Sequence, residues 1–219
     1  MQVTSAPERL SAREPGAGRI GILGGTFNPP HLGHLICAQE AHRQLALDRV
    51  LVLPARQPPH KPIDDDPGAR HRLELCRRAV AGDERFEVSE LELRREGPSY
   101  TADTLVELSA LMPDSELFLI VGGDVAAGFM SWYRPQRVLA LATLAVAQRR
   151  GTSRAAVDRA LAALPGGELA EFFRMPRIEI SSTEIRRRVR HRQPITYLVP
   201  EAVGAYIDEH RLYGGQAGS

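Results

Sequence analysis

A chain of 219 residues can bury a full core without disulfide or metal staples, and it suits one domain with at most a small appendage. Hydrophobic and charged contents of 43% and 25% are those of an ordinary globular protein, and a net charge of +1 makes no global demand for nucleic acid or an anionic membrane as partner. Cys37 and Cys76 form no CxxC pair and no apolar run approaches the roughly 18 residues of a membrane span, so a reduced cytoplasmic protein without a structural zinc site is expected.

Met1 to Gly18 is rich in Ser, Ala, Pro, Glu and Arg and lacks the apolar core of a signal peptide. It reads as a disordered extension (1–18), followed by one domain (19–213) and a loose tail (214–219). Ile20–Leu23 reads as the first strand, Leu32–Leu47 as the first helix and Val50–Pro54 as the second strand. The stretch from Ala55 to Gly68 carries Pro58, Pro59, Pro62, Pro67 and Asp64-Asp65-Asp66, so imino rings and repelling carboxylates keep it out of helix and sheet. Next come a helix at Ala69–Ala81, extended chain at Phe86–Leu93 and a helix at Thr101–Met112. The strongly apolar Leu117–Val121 reads as a strand ending in Gly122-Gly123-Asp124, and Ala142–Ala147 as another. Arg154–Leu164 reads as a helix that Pro165-Gly166-Gly167 ends. Phe172–Phe173 and Ile178–Ile180 flank extended chain, and Ser182–Arg190 and Glu201–His210 read as terminal helices. Apolar strands alternating with helices predict an α/β fold, a Rossmann-like doubly wound parallel sheet with a small C-terminal helical part.

Ligands of such sheets bind beyond the C-terminal strand ends. There lies Gly24-Gly25-Thr26-Phe27-Asn28-Pro29-Pro30-His31-Leu32-Gly33-His34. A glycine turn at a strand-to-helix junction offers backbone N–H groups and a helix dipole to phosphate, with glycine permitting close approach and φ > 0. His31 and His34, three residues apart on a first helical turn, project to one side and can donate to phosphoryl oxygens. The plainer reading is a tight turn with two exposed histidines; the surrounding GGTF, Pro29-Pro30 and Gly33 favour function. Ser182 or Thr183 would cap a later helix, with Arg186 on its next turn. That is a common capping motif, yet hydroxyls and a guanidinium at a helix start also make a second anion site. Two such cradles imply an extended polyphosphate.

Three features point elsewhere and fail. Gly16-Ala17-Gly18-Arg19-Ile20-Gly21 matches GxGxxG but precedes the first strand, and no GxxxxGK[ST] is present. His31 and His34 have spacing for a metal, but only His60 is at hand as a conjectural third ligand. Arg186, Arg187, Arg188, Arg190 and Arg192 suggest a nucleic-acid patch, but more often such a run is a solvated helix face.

GGTFNPPHLGH with Ile180-Ser181-Ser182-Thr183-Glu184-Ile185-Arg186 resembles the HxGH nucleotidyltransferase superfamily. More narrowly, the chain resembles the bacterial nicotinate-nucleotide adenylyltransferase family. The narrower match rests on Leu53-Pro54 with Pro58-Pro59-His60-Lys61, on Gly97-Pro98-Ser99-Tyr100-Thr101-Ala102-Asp103-Thr104-Leu105, on Ile120 to Asp124, on Trp132-Tyr133 and on the tail from Tyr197 to Tyr213. Asn28 stands where many relatives carry Asp. The resemblance implies adenylyl transfer from ATP to nicotinate mononucleotide, giving deamido-NAD and pyrophosphate, with Mg2+ carried by the phosphates and no dedicated metal ligands. It implies an ATP site of Gly24, Gly25, Thr26, Phe27, His31, His34, Gly122, Asp124, Ser182, Thr183 and Arg186. Among these, His31, His34 and Arg186 are catalytic, and His34 serves at the reacting phosphoryl group. It implies acceptor contacts from Lys61, Tyr100, Thr101, Asp124, Trp132 and Tyr133, with Trp132 stacked on the pyridine, where composition alone allows a core tryptophan. Neither nucleic acid nor membrane is implied as partner, and an oligomer is compatible. Alternatives are a relative acting on pantetheine phosphate, a cytidylyltransferase, or a non-catalytic nucleotide sensor.

Overall fold

The computed structural model describes residues 18–59, 63–148 and 154–214. In chain order the elements are β1 (Arg19–Gly25), α1 (Leu32–Gln44), β2 (Arg49–Pro54), α2 (Ala69–Ala79), β3 (Phe86–Val88), α3 (Leu91–Arg94), α4 (Thr101–Leu111), β4 (Glu116–Gly122), α5 (Gly123–Ala127), α6 (Pro135–Leu141), β5 (Thr143–Gln148), α7 (Arg154–Leu161), β6 (Glu171–Arg174), α8 (Ser182–Arg190) and α9 (Glu201–Glu209). The strands form one sheet in the order β3-β2-β1-β4-β5-β6, and every pairing is parallel.

Strand periodicity explains the two apolar layers. Along β4, Leu117, Leu119 and Val121 enter one core with Ile20, Ile22, Leu51 and Leu53, covered by Leu105 and Leu108 of α4, Val138 of α6 and Val157 of α7. The alternate residues Phe118 and Ile120 enter the opposite core with Val50 and Val52, covered by Cys37, Ala38 and Ala41 of α1 and Cys76 of α2. Helices on both faces leave no solvated side, which is why these strands read as unbroken apolar runs. A third cluster joins Leu75 of α2, Ile185 of α8, and Val203, Tyr206 and Ile207 of α9. It seats the C-terminal helices against the main body.

The structure departs from the sequence expectations at several boundaries. Phe86–Leu93 is not extended throughout: β3 stops at Val88, and the Leu91 amide donates to the Ser89 hydroxyl at 3.2 Å, opening the short turn of α3. The first helix stops at Gln44 instead of Leu47, because Ala46 adopts φ 48° and the Leu47 amide turns back to the His42 carbonyl at 3.0 Å. The helices expected to reach Ala81 and Leu164 end at Ala79 and Leu161. Ile178–Ile180 belongs to no strand, and the unassigned stretch after Asp124 holds most of α5, a 3-10 turn at Phe129–Ser131, and α6. The 1–18 extension and 214–219 tail fall, except for Gly18 and Gly214, outside the described residues.

Ile185 is fully buried in the third cluster. Ile185→Ala should therefore lower the free energy of unfolding by about 2–4 kcal/mol in urea titration, from lost burial and the cavity left behind. A loss under about 1 kcal/mol would mean that this cluster does not seat α8.

Candidate functional site

The strand order reverses between β1 and β4, and the crevice beyond their C-terminal ends is where a doubly wound sheet binds its ligand. A cavity of about 450 Å3 lies there. Gly24, Gly25, Thr26, His31 and His34 line it from the β1–α1 junction, Gly122 from the end of β4, and Ser181 from the start of α8. Thr101 and Trp132 also line it.

His31 is the N-cap of α1, with extended backbone at φ −146° and ψ 170°. Its amide donates to Nδ1 of His34 at 3.2 Å, and the two rings stack with centroids 3.7 Å apart. A ring nitrogen that accepts carries no proton, so the neutral His34 imidazole holds its N–H at Nε2. Phe27 packs edge-on against His34 at 5.1 Å and has its own ring in the core. Phe27 is not among the residues that line the cavity. No acidic residue occupies the first turn of α1, so the positive end of its dipole is uncompensated on that helix.

Glycine acts here through missing volume. A Cβ on Gly33 would meet Nδ1 and Cε1 of His31 at 3.0 and 3.1 Å, so the glycine makes room for the first imidazole. A Cβ on Gly24 would meet nothing within 4 Å, which leaves open space for a ligand to approach the backbone. The expected positive φ at these glycines is not found: Gly24 and Gly25 simply extend β1, and the left-handed residue of the turn is Phe27 at φ 50°.

The second helix start meets the first. The N-cap of α8 is Ser181, whose hydroxyl accepts from the Glu184 amide at 3.2 Å; it is neither Ser182 nor Thr183 as expected. The reason is that the Ser182 hydroxyl is committed elsewhere, donating to the Pro29 carbonyl at 2.8 Å. Thr183 is exposed. Arg186, 7% exposed, donates through Nη1 to the Asn28 carbonyl at 2.9 Å and through Nε to Asp65 at 3.3 Å. Arg190 reaches the same Asp65 oxygen at 2.6 Å. These hydrogen bonds, from Arg190 first and then Arg186, hold the Asp65 carboxyl below the usual carboxylate range. Arg187 and Arg188 pair with Glu184, so the basic run is largely engaged along its own helix and loop.

The remaining predicted residues are only partly gathered. Trp132 lies 5.1 Å from the Phe129 ring and lines the cavity beside Thr101. Tyr100 and Tyr133 pack on each other at 4.3 Å, outside the lining. Asp124 is exposed and folds its carboxylate back over Gly122, where a Cβ would meet Oδ1 at 2.7 Å. Lys61 and His60 lie outside the described residues. Sequence reading missed Glu92, a buried carboxyl on the cavity wall whose Oε1 accepts from the Thr104 hydroxyl at 2.8 Å. Burial pushes its pKa up. Glu92 falls in the stretch read as extended, Phe86–Leu93, and the structure buries it in the short helical turn of α3.

The chain matches the family model described as cytidylyltransferase-like over residues 22–188. It is 45% identical over 195 residues to a probable nicotinate-nucleotide adenylyltransferase of Thermus thermophilus, covering 89% of this chain and 99% of that one. A probable nicotinate-nucleotide adenylyltransferase of Synechococcus sp. is 44% identical over 206 residues, with 93% and 99% covered. Among solved structures, the Plasmodium falciparum nicotinic acid mononucleotide adenylyltransferase complexed with NaAD superposes with a TM-score of 0.74 at 18% identity. That match covers 90% of this chain and 97% of the other, and establishes a common fold.

The Asp65 bridge contributes stability that is present above the ordinary aspartate range and is lost as pH falls through the depressed pKa of Asp65. Carbon-detected titration of Asp65 should give a midpoint below that range, and Arg190→Ala should raise it. A midpoint unmoved by Arg190→Ala would show that the bridge does not form in solution.

Proposed function

The chain belongs to the cytidylyltransferase-like family, and we propose that it transfers the adenylyl group of ATP to nicotinate mononucleotide, forming deamido-NAD and pyrophosphate for NAD biosynthesis. The observation that carries this reading is the single cavity shared by two helix beginnings, His31 and His34 at one and Ser181 at the other. Two positive dipole ends at one cavity suit a polyphosphate, and the aromatic ring of Trp132 suits a flat heterocycle. The curated relatives at 44–45% identity carry the narrower name over nearly their whole length.

In this mechanism a phosphate oxygen of the mononucleotide attacks the α-phosphorus of ATP, and the bond to the bridging oxygen of the β-phosphate breaks. The attacking phosphate, with a second pKa near 6, is largely dianionic at pH 7 and needs no general base. The protein's part is alignment and spreading of charge. Nε2–H of His34 donates to the α-phosphoryl oxygens, with His31 beside it, and the bare backbone at Gly24 admits the phosphates. The Thr26 and Phe27 backbone and the exposed Thr183 border the same chain, while Ser182 holds the turn. Arg186 receives the departing pyrophosphate in the place that Asp65 takes in the free protein. Gly122 and Asp124 serve a ribose. Trp132 stacks on the pyridine, the N–H groups at Tyr100, Thr101 and Tyr133 face its carboxylate, and Lys61 serves the acceptor phosphate.

Adenylyl transfer from ATP calls for a divalent cation. Mg2+ would enter on the nucleotide, whose phosphate oxygens are the hard ligands it prefers. When bound it would offset charge on the leaving pyrophosphate. No described helix is long and apolar enough to cross a membrane, and the buried thiols of Cys37 and Cys76 suit the reducing cytoplasm.

The test is pyrophosphate release from ATP with nicotinate mononucleotide, nicotinamide mononucleotide and pantetheine phosphate in parallel. The nicotinate acceptor should be fastest; faster release with pantetheine phosphate, or none with any acceptor, rejects the reading. His34→Ala should lower turnover roughly a hundredfold, as loss of an oxyanion-type donor does. Gly33→Ala, which crowds His31, should lower it about tenfold with little change in melting temperature. Trp132→Ala should raise the acceptor KM more than the ATP KM, and equal increases would reject stacking.

A further inference from the structure

Among the described residues, Arg72 is the one charged residue in the set of largest fully buried side chains, at 0% exposure. Helical spacing puts it on the inward face of α2 with Leu75 and Cys76, where an apolar residue is expected. Its guanidinium instead spans three segments. Nη1 donates to the carbonyls of Thr26 at 3.1 Å and Ala55 at 2.5 Å, Nη2 to that of Arg56 at 3.1 Å, and Nε to Asp66 at 3.0 Å. Thr26 follows β1 and Ala55 follows β2, and both line the cavity. The same group therefore sets the height of the glycine turn relative to the start of the proline-rich loop. Arg72 is not among the residues that line the cavity, and its charge is answered by Asp66.

We infer that Arg72 is a positioning residue for the triphosphate: its fork holds the turn at Gly24–Thr26 and the loop at Ala55–Arg56 in the spacing that the phosphates require. Lysine keeps the charge but cannot reach four acceptors in a planar fork, so the inference predicts that it will not substitute. The inference rests on the adenylyl-transfer reading.

The experiment compares the parent with Arg72→Lys and Arg72→Met, checking folding by thermal denaturation. It then measures calorimetric affinity for α,β-methylene-ATP and rates of pyrophosphate release with both substrates varied. Misplacing the phosphates should lower kcat/KM for ATP about a hundredfold in both variants, with the acceptor KM within about threefold of the parent's. A folded variant within about twofold of the parent, or equal weakening of both substrates, would overturn the inference. If neither variant folds, Asp66→Ala frees Nε of Arg72 and should weaken the analogue about fivefold, whereas parent-like affinity counts against the inference. A parent that binds the analogue but transfers nothing to nicotinate mononucleotide would reject the reaction, and analogue affinities alone would then judge Arg72.

Discussion

Two backbone carbonyls, those of Asn28 and Pro29, are the anchor of the site. Arg186 and Ser182 hold them across more than 150 residues of sequence. This cross-link brings the start of α8 against the start of α1, and the fully buried Ile185 locks it from behind. Two positive helix ends in such proximity disfavour each other unless an anion lies between or beside them. In the free protein Glu184 in the first turn of α8 answers part of that charge, while the Asp65 carboxylate pairs with Arg186 and Arg190. A polyphosphate offers more negative charge to the same groups, so the fold carries an electrostatic bias towards its ligand before any ligand arrives.

The second constraint is space. Gly33 leaves the volume that the His31 ring fills, and a Cβ on Gly24 would have no neighbour within 4 Å among the described residues. The first keeps an imidazole in place and the second keeps a path open to the backbone. Neither needs the left-handed conformations usually invoked for glycine, since that role falls to Phe27. The stacked histidines then fix one another: the His31 amide selects the His34 tautomer that presents a donor at Nε2.

Another part of the cavity wall follows different physics. Glu92 is buried there with the Thr104 hydroxyl on its carboxyl, and Arg95 reaches the same hydroxyl at 2.9 Å. Burial pushes the pKa of that carboxyl up, against the hydrogen bond from Thr104, which lowers it. Trp132, also in the cavity lining, rests on the main core through Phe129, so its aromatic ring has a rigid support.

The sequence by itself determined the parallel sheet, every helix of eight or more residues and the glycine–histidine junction. Unbroken apolar runs such as Leu117–Val121 arise only where both faces of a strand are buried, and the GGTFNPPHLGH spacing is local chemistry along one stretch of chain. Other features were not legible because nothing local encodes them. Ser181 rather than Ser182 caps α8 because Ser182 finds a carbonyl 153 residues away. Glu92 faces inward because a serine turn ends β3 after three residues, and Arg72 occupies an apolar face because three loop carbonyls meet there. Periodicity reports which face of an element is buried. Only the folded chain decides which polar groups that face will meet, since their partners arrive from distant strands and are selected by distance and direction in space.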